Sequence, residues 1–174
     1  IDVEWVQVGN ETHQGILFPD GNTNQGGSEN FAKMINSGYN AVKEIYPEAQ
    51  VIVHLDQGND SNLYNRIFDG LKTNGAIVIN TTKSEDYLKS VLKGYKGKVY
   101  TIDARKVSTE ALGKYFPNTP MLAAIVKVTG IMNDEDFLKD MEGSFKHKFA
   151  KKPEVIEGNM KALEMALNEV KKIN

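Results

Sequence analysis

Short runs of β-branched and aliphatic residues alternate strictly with amphipathic helical patterns over the first 103 residues. This alternation constrains the fold more than any other feature of the sequence. The runs lie at residues 4–9, 51–55, 76–80 and 99–103. Buried strands that are separated by helical crossovers pair in parallel, with right-handed connections. The sequence therefore predicts a parallel sheet of about four strands.

The helical patterns between and after these runs complete the predicted architecture. Their ranges are 29–46, 61–71, a helix that begins with a capping box at Thr82 and Glu85, and then 121–128, 136–145 and 153–172. Ser28, Thr119 and Asn133 are predicted caps. A parallel sheet needs both faces covered, so the last three helices must cover the face that the crossover helices leave bare. We predict a three-layer, open, Rossmann- or flavodoxin-like sheet with strand order 1-2-3-4 and helices on both faces.

Composition excludes several classes of protein. No stretch approaches the ~18 apolar residues of a membrane span, and the chain opens with Ile-Asp-Val-Glu rather than with a basic and apolar signal segment. The absence of Cys removes disulfides, thiolate zinc sites and cysteine nucleophiles. The Lys residues alternate with Glu and Asp, as on a solvated helical surface. We therefore expect a soluble chain that binds neither nucleic acid nor membrane, in an undetermined compartment.

A composition step divides the chain after Asn74. Residues 1–74 carry a net charge of −6 and 10 of the 16 Asn residues, whereas residues 75–174 carry +4. The Lys-rich, Asn-poor style of the second segment is typical of heat-adapted proteins, and the first segment lacks it. A single gene usually has a uniform amino-acid composition along its length. The step predicts a junction between segments of different origin, with the crossover between about residues 59 and 75.

The first segment ends its first predicted strand in Asn10-Glu11. After this strand come a loop at residues 12–21, a helical pattern at 30–46 and a further run at 51–58. In this order, the elements resemble those of endo-β-1,4-galactanases of glycoside hydrolase family 53. The resemblance implies that Glu11 is the general acid/base and that Asn10 holds the sugar 2-hydroxyl. It also implies that His54 and Asp56 line the sugar cleft.

Retaining glycoside hydrolysis needs a second carboxyl group about 5 to 5.5 Å from the acid/base. The galactanase nucleophile lies on a seventh barrel strand, and only the equivalents of strands four and five are present. We therefore expect Glu11 to be vestigial and inactive.

A second similarity is carried by residues 75–84, 101–104 and 117–130. In these stretches the second segment resembles the γ subunit of pyruvate or 2-ketoisovalerate ferredoxin oxidoreductase. The Gly-Arg-Gly-Gly-Gln-Gly-type loop with which that family begins is not found. The resemblance implies a complex that uses thiamine diphosphate, iron–sulfur clusters and coenzyme A, and a chain without Cys cannot supply cluster ligands.

Together these observations predict one chimeric, engineered or recombined α/β domain over residues 1–174, galactanase-like to residue 74 and γ-subunit-like from residue 75. We expect no native catalytic activity, no cofactor, no metal and no required partner, in a monomer or weak homodimer. The alternatives are residual galactan hydrolysis through Glu11 and a structural role as an oxidoreductase γ subunit.

A polar row is expected at the carboxyl ends of the four strands, where open parallel sheets bind ligands. It comprises Asn10, Glu11, His54, Asp56, Asn80 and Asp103. Strands in sequential order provide no switch point and hence no crevice, so we expect at most weak sugar binding there.

Overall fold

The computed structural model describes residues 3–9, 15–53, 75–92 and 94–173. The chain divides into two compact units, Ile1–Gly70 and Leu71–Asn174. They are called the N-terminal and C-terminal units below, and each is described by itself.

The N-terminal unit contains two small sheets and one long helix. Strand β1 (Trp5–Gln7) pairs in parallel with β4 (Gln50–Ile52), and Val6 lies opposite Val51. Strands β2 (Gly15–Ile16) and β3 (Gly21–Asn22) form an antiparallel hairpin. A single 3-10 turn (Thr23–Gln25) then leads to helix α1 (Ser28–Ile45).

The turn before α1 is built around Gly27. Its N–H donates to the Asn22 carbonyl at 2.8 Å, and a Cβ at this position would lie 2.6 Å from both the Asn22 nitrogen and the Asp20 oxygen. Such distances are too short for a side chain, so glycine is needed for close packing of the backbone. Gly27 is also the residue that caps α1, and it provides no side-chain hydrogen bond to the helix.

The C-terminal unit begins with a parallel βαβ unit. Strand β5 (Ala76–Asn80) leads through α2 (Glu85–Val91) to β6 (Lys98–Ile102), and the two strands pair in register from Ala76 opposite Lys98 to Asn80 opposite Ile102. A two-residue strand, β7 (Lys171–Lys172), joins β6 in antiparallel pairing. The strand order in this sheet is β5-β6-β7.

Four helices follow β6. They are α3 (Ala104–Leu112), α4 (Asn118–Thr129), α5 (Asp134–Lys148) and α6 (Pro153–Glu169). Helix α6 packs against α3, α4 and α5, and α4 contacts both β5 and β6. Helix α4 therefore lies against this sheet, and α6 packs against α4.

The core of the C-terminal unit lies between β6 and these four helices. Buried side chains from all of them meet there: Ile102, Ala104, Val107, Ala123, Ala124, Val126, Phe137, Phe145, Ala162, Leu163, Ala166 and Leu167. Successive residues of a strand point to opposite faces, so Val99 faces away from Ile102, and both are 2% exposed. Both faces of β6 are thus buried.

Several details differ from the sequence predictions. The described strands form two separate pairs and one three-stranded sheet, β5-β6-β7, so a four-stranded sheet of order 1-2-3-4 is not confirmed. Helix α3 and the β2–β3 hairpin were not predicted, and the helix predicted at 61–71 lies outside the described residues. Ser84, rather than Thr82, caps α2 by accepting the N–H of Tyr87 at 3.2 Å.

Within the described part of the chain, no helix has both the length and the apolar character needed to cross a membrane.

Candidate functional site

All four predicted site residues lie outside the described residues. These are the proposed acid/base Glu11 and the three proposed sugar-cleft residues Asn10, His54 and Asp56. Of the predicted polar row, the structure therefore describes Asn80 and Asp103, at the carboxyl ends of β5 and β6.

Asn80 and Asp103 both bind the first turn of α3. The Asn80 Oδ1 accepts the backbone N–H of Ala104 at 3.0 Å, and the Asp103 Oδ1 accepts that of Lys106 at 2.8 Å. Free N–H groups at a helix start must find acceptors, and these two side chains satisfy them. Their polar atoms are engaged in starting α3, which leaves a structural role as the direct interpretation.

A loop aromatic completes this edge of the sheet. The Asn80 Nδ2 donates to the Tyr115 hydroxyl at 3.3 Å, and the Arg105 guanidinium carbon lies 4.4 Å from the centre of the Tyr115 ring. Beside it, the Lys114 Nζ lies 5.4 Å from the centre of the Phe116 ring. The described part of this edge therefore carries cations and aromatic rings beside Asp103, and the other acidic groups predicted for it, Glu11 and Asp56, lie outside the described residues.

Sequence reasoning missed Arg105, Tyr115 and Phe116. A local signal was present, because Lys-Tyr-Phe stands between Gly113 and Pro117, and aromatic residues in a turn are unusual. The contact between Tyr115 and Asn80 spans 35 residues and has no local signature.

The described residues contain no group of three or more His, Asp or Glu side chains that could hold a metal ion. Shifted pKa values in the C-terminal unit include those of Tyr95 and of Lys106, whose backbone N–H binds Asp103. Burial raises the pKa of the Tyr95 hydroxyl, and a hydrogen bond to Glu169 raises the pKa of Lys106. The described part of this edge thus supplies a shaped, cationic and aromatic surface.

Comparison with known proteins identifies the family. The model of the pyruvate ferredoxin/flavodoxin oxidoreductase family matches residues 18–169. Pyruvate synthase subunit PorC of Thermotoga maritima is 34% identical over 137 residues, which cover 79% of this chain and 68% of that protein. The common γ subunit of the pyruvate/ketoisovalerate oxidoreductases of Thermococcus kodakarensis is 33% identical over 126 residues, or 72% and 63% of the two chains.

A solved structure agrees. The crystal structure of pyruvate oxidoreductase subunit PORC from Thermotoga maritima matches with a TM-score of 0.54 and 33% identity, covering 70% of this chain and 63% of that one. The PorC of Methanocaldococcus jannaschii is 41% identical over 106 residues, which are 52% of its length. The matches thus span about half to two thirds of these relatives.

Two sequence predictions change. The prediction that no partner is required is wrong, because the relatives are themselves named subunits of pyruvate synthase or of pyruvate/ketoisovalerate oxidoreductases. The family match also begins at residue 18 and crosses the predicted junction near residue 75 without a break, and no comparison supports a galactanase segment or a fusion. The γ-subunit resemblance is confirmed and extends further towards the N-terminus than predicted: the chain belongs to the pyruvate ferredoxin/flavodoxin oxidoreductase family.

Proposed function

We propose that the chain acts as a γ-type, PorC-like subunit of a 2-oxoacid:ferredoxin oxidoreductase. The observation that carries this proposal is the continuous family match over residues 18–169, together with relatives that are named as subunits. In this role the chain contributes to a complex and does not perform the redox chemistry by itself.

The chemistry of the side chains supports a structural contribution. The 174 residues contain no Cys, so they supply no thiolate ligand to an iron–sulfur cluster. In the described part of the molecule, Asn80 and Asp103 at the sheet edge are engaged in capping α3. The C-terminal unit offers a packed core beneath an exposed loop, as a scaffold for assembly requires.

Co-expression with the remaining pyruvate synthase subunits of the same genome tests this proposal. We expect the chain to co-purify with them in fixed stoichiometry. We also expect pyruvate-dependent reduction of ferredoxin to fall when the chain is omitted. A complex that assembles and turns over equally well without the chain would contradict the proposal.

A fused origin is a second proposal, in which residues 1–74 derive from a galactanase and carry Glu11 as a vestigial acid/base beside Asn10, His54 and Asp56. Two observations favour it: the step in charge and Asn content after residue 74, and the boundary between the compact units after Gly70. Galactan hydrolysis by the chain that disappears in Glu11→Gln would support catalysis by this segment. No turnover in either protein, the expected result, leaves Glu11 without a catalytic role.

A further inference from the structure

The loop between α3 and α4 presents two neighbouring aromatic rings to solvent. Tyr115 is 44% exposed and Phe116 is 51% exposed, and each ring has a cation beside it, Arg105 and Lys114 respectively. These four residues are called the aromatic–cation patch below. Tyr and Arg are, with Trp, enriched at the energetic centres of protein interfaces, and Phe is enriched in interface cores.

The Tyr115 ring is fixed before any partner arrives. Its hydroxyl is bound by the Asn80 amide, which is itself anchored through its oxygen to the Ala104 N–H. The Arg105 guanidinium lies against the ring. A side chain that is already ordered loses little entropy on binding, so its contacts contribute more of their energy to affinity.

The two cations of the patch are distinct from the lysines that form ion pairs in the described part of the unit. The ion pairs among the described residues of the C-terminal unit involve other lysines, namely Lys89 with Glu85, Lys106 with Glu169, Lys127 with Asp134 and Lys146 with Glu142. Among the described residues, Arg105 and Lys114 form no ion pair. The patch is therefore positive and apolar together, and its complement is a surface that carries carboxylates around an apolar contact.

We propose that the aromatic–cation patch is the surface on which the chain docks an acidic surface of another subunit of its complex. The proposal rests on the proposed function, because it takes its partner from the oxidoreductase assembly. Tyr115 and Phe116 supply the apolar contact, while Arg105 and Lys114 pair with carboxylates of the partner and fix its orientation.

Binding of the full chain to the remaining pyruvate synthase subunits of the same genome, measured by calorimetry, tests the patch. We expect Arg105→Glu, Lys114→Glu and Phe116→Ala each to weaken binding at least about tenfold, equivalent to about 1.4 kcal/mol. Binding by the unaltered chain should also weaken as salt is raised. Lys139→Glu, on the exposed face of α5, is the matched charge control, and Met132→Ala is the matched apolar control. Both controls should bind within about twofold of the unaltered chain.

The other outcomes separate the two proposals. If the unaltered chain binds and the three patch variants bind equally well, the docking surface lies elsewhere and the proposed function stands. If the unaltered chain does not bind at all, both proposals are overturned.

A separate measurement tests whether the aromatic–cation patch is already covered by other residues of the same chain or by a second copy. A large fall in the unfolding temperature of isolated Arg105→Glu would show that the patch is already covered within the chain. A homodimer that dissociates in Arg105→Glu would show that a second copy occupies it. Either result overturns docking of another subunit, and Lys114→Glu, in the exposed loop, repeats the measurement at a position with little effect on folding.

Discussion

The two units differ sharply in how much apolar surface their described residues bury. In the N-terminal unit, Ala49 is the one described hydrophobic residue that is fully buried, and Leu17 and Ile45 are 71% and 70% exposed. In the C-terminal unit, a continuous core unites β6 with four helices. Because burial of apolar surface is the main force for folding, the C-terminal unit has the larger independent source of stability.

The helix starts show part of the same contrast, because three of the five described helices in the C-terminal unit have a side-chain cap, whereas α4 and α6 do not. Ser84, Asp103 and Asn133 in the C-terminal unit each accept a backbone N–H from the first turn of α2, α3 or α5. Helix α1 in the N-terminal unit begins after Gly27 without such a bond. Local signals and packing thus agree in the C-terminal unit, and this agreement favours a single folded state.

The largest expected effect comes from separating the units. We expect a fragment of residues 71–174 to fold with a single cooperative thermal transition, because its core is made within the fragment. A fragment of residues 1–70 should show no such transition, since isolated two-stranded sheets and single helices are marginal in water. Calorimetry and near-ultraviolet circular dichroism measure both. A cooperative transition in the N-terminal fragment would break the comparison.

Truncation of one buried side chain should show the same asymmetry in the intact chain. Leu163 on α6 is 0% exposed at the centre of the core. Leu163→Ala should lower the free energy of unfolding by about 2 to 5 kcal/mol, through lost burial and a residual cavity.

Ile45→Ala, in the N-terminal unit, is the matched control and should change the free energy of unfolding by less than about 0.5 kcal/mol, because Ile45 is largely exposed. Urea unfolding measures both. A comparable loss in Ile45→Ala would show that the apolar surface of α1 is buried in solution.

Sequence reasoning was most successful where a local pattern decides the structure. Strand β5 was predicted at its observed bounds, because Ile77, Val78 and Ile79 form an apolar run that polar residues enclose. The Asn133 cap was likewise predicted and is confirmed by its bond to Asp136. In both cases the deciding residues lie within four positions of one another.

Prediction failed where weak patterns or distant contacts decide. Helix α3 contains Val107, Ser108 and Thr109, which lower its helix propensity and interrupt its apolar face. The caps at its two ends, Asp103 and Gly113, were therefore the better sequence signal for this helix. The contact of Tyr115 with Asn80 comes from packing across the chain. The patch that we propose for docking could therefore be found only in the structure.

Two glycine-to-alanine substitutions, one in each unit, should change the free energy of unfolding in opposite directions. Gly27→Ala should lower the free energy of unfolding of the N-terminal unit by about 1 to 3 kcal/mol, because the new methyl group would meet the backbone of Asp20 and Asn22. Gly143→Ala on α5 should raise that of the C-terminal unit by about 0.4 to 1 kcal/mol, since a methyl group there would meet no atom within 4 Å and alanine favours helix. Amide hydrogen exchange reports each unit separately. If both substitutions raised, or both lowered, the free energy of unfolding, the predicted difference between the two glycine positions would be wrong.

The smallest expected effect is the pH dependence of two exposed ion pairs, which act at opposite ends of the pH scale. Lys33 lowers the pKa of Glu29 in α1, so this pair stabilises the folded state above the ordinary glutamate pKa and loses its effect as the pH falls through the lowered value. Glu169 raises the pKa of Lys106, so that pair stabilises below the ordinary lysine pKa and is lost as the pH rises through the raised value. Because Lys106 on α3 reaches the end of α6, its pair connects two core helices, whereas Glu29 and Lys33 lie on one helix.

We therefore expect Glu169→Gln to alter amide hydrogen exchange of α3 and α6 at neutral pH but not at strongly alkaline pH. Glu29→Gln should alter exchange of α1 alone, and only above the acid range. A change in α3 or α6 caused by Glu29→Gln would contradict an effect of this ion pair that is confined to α1.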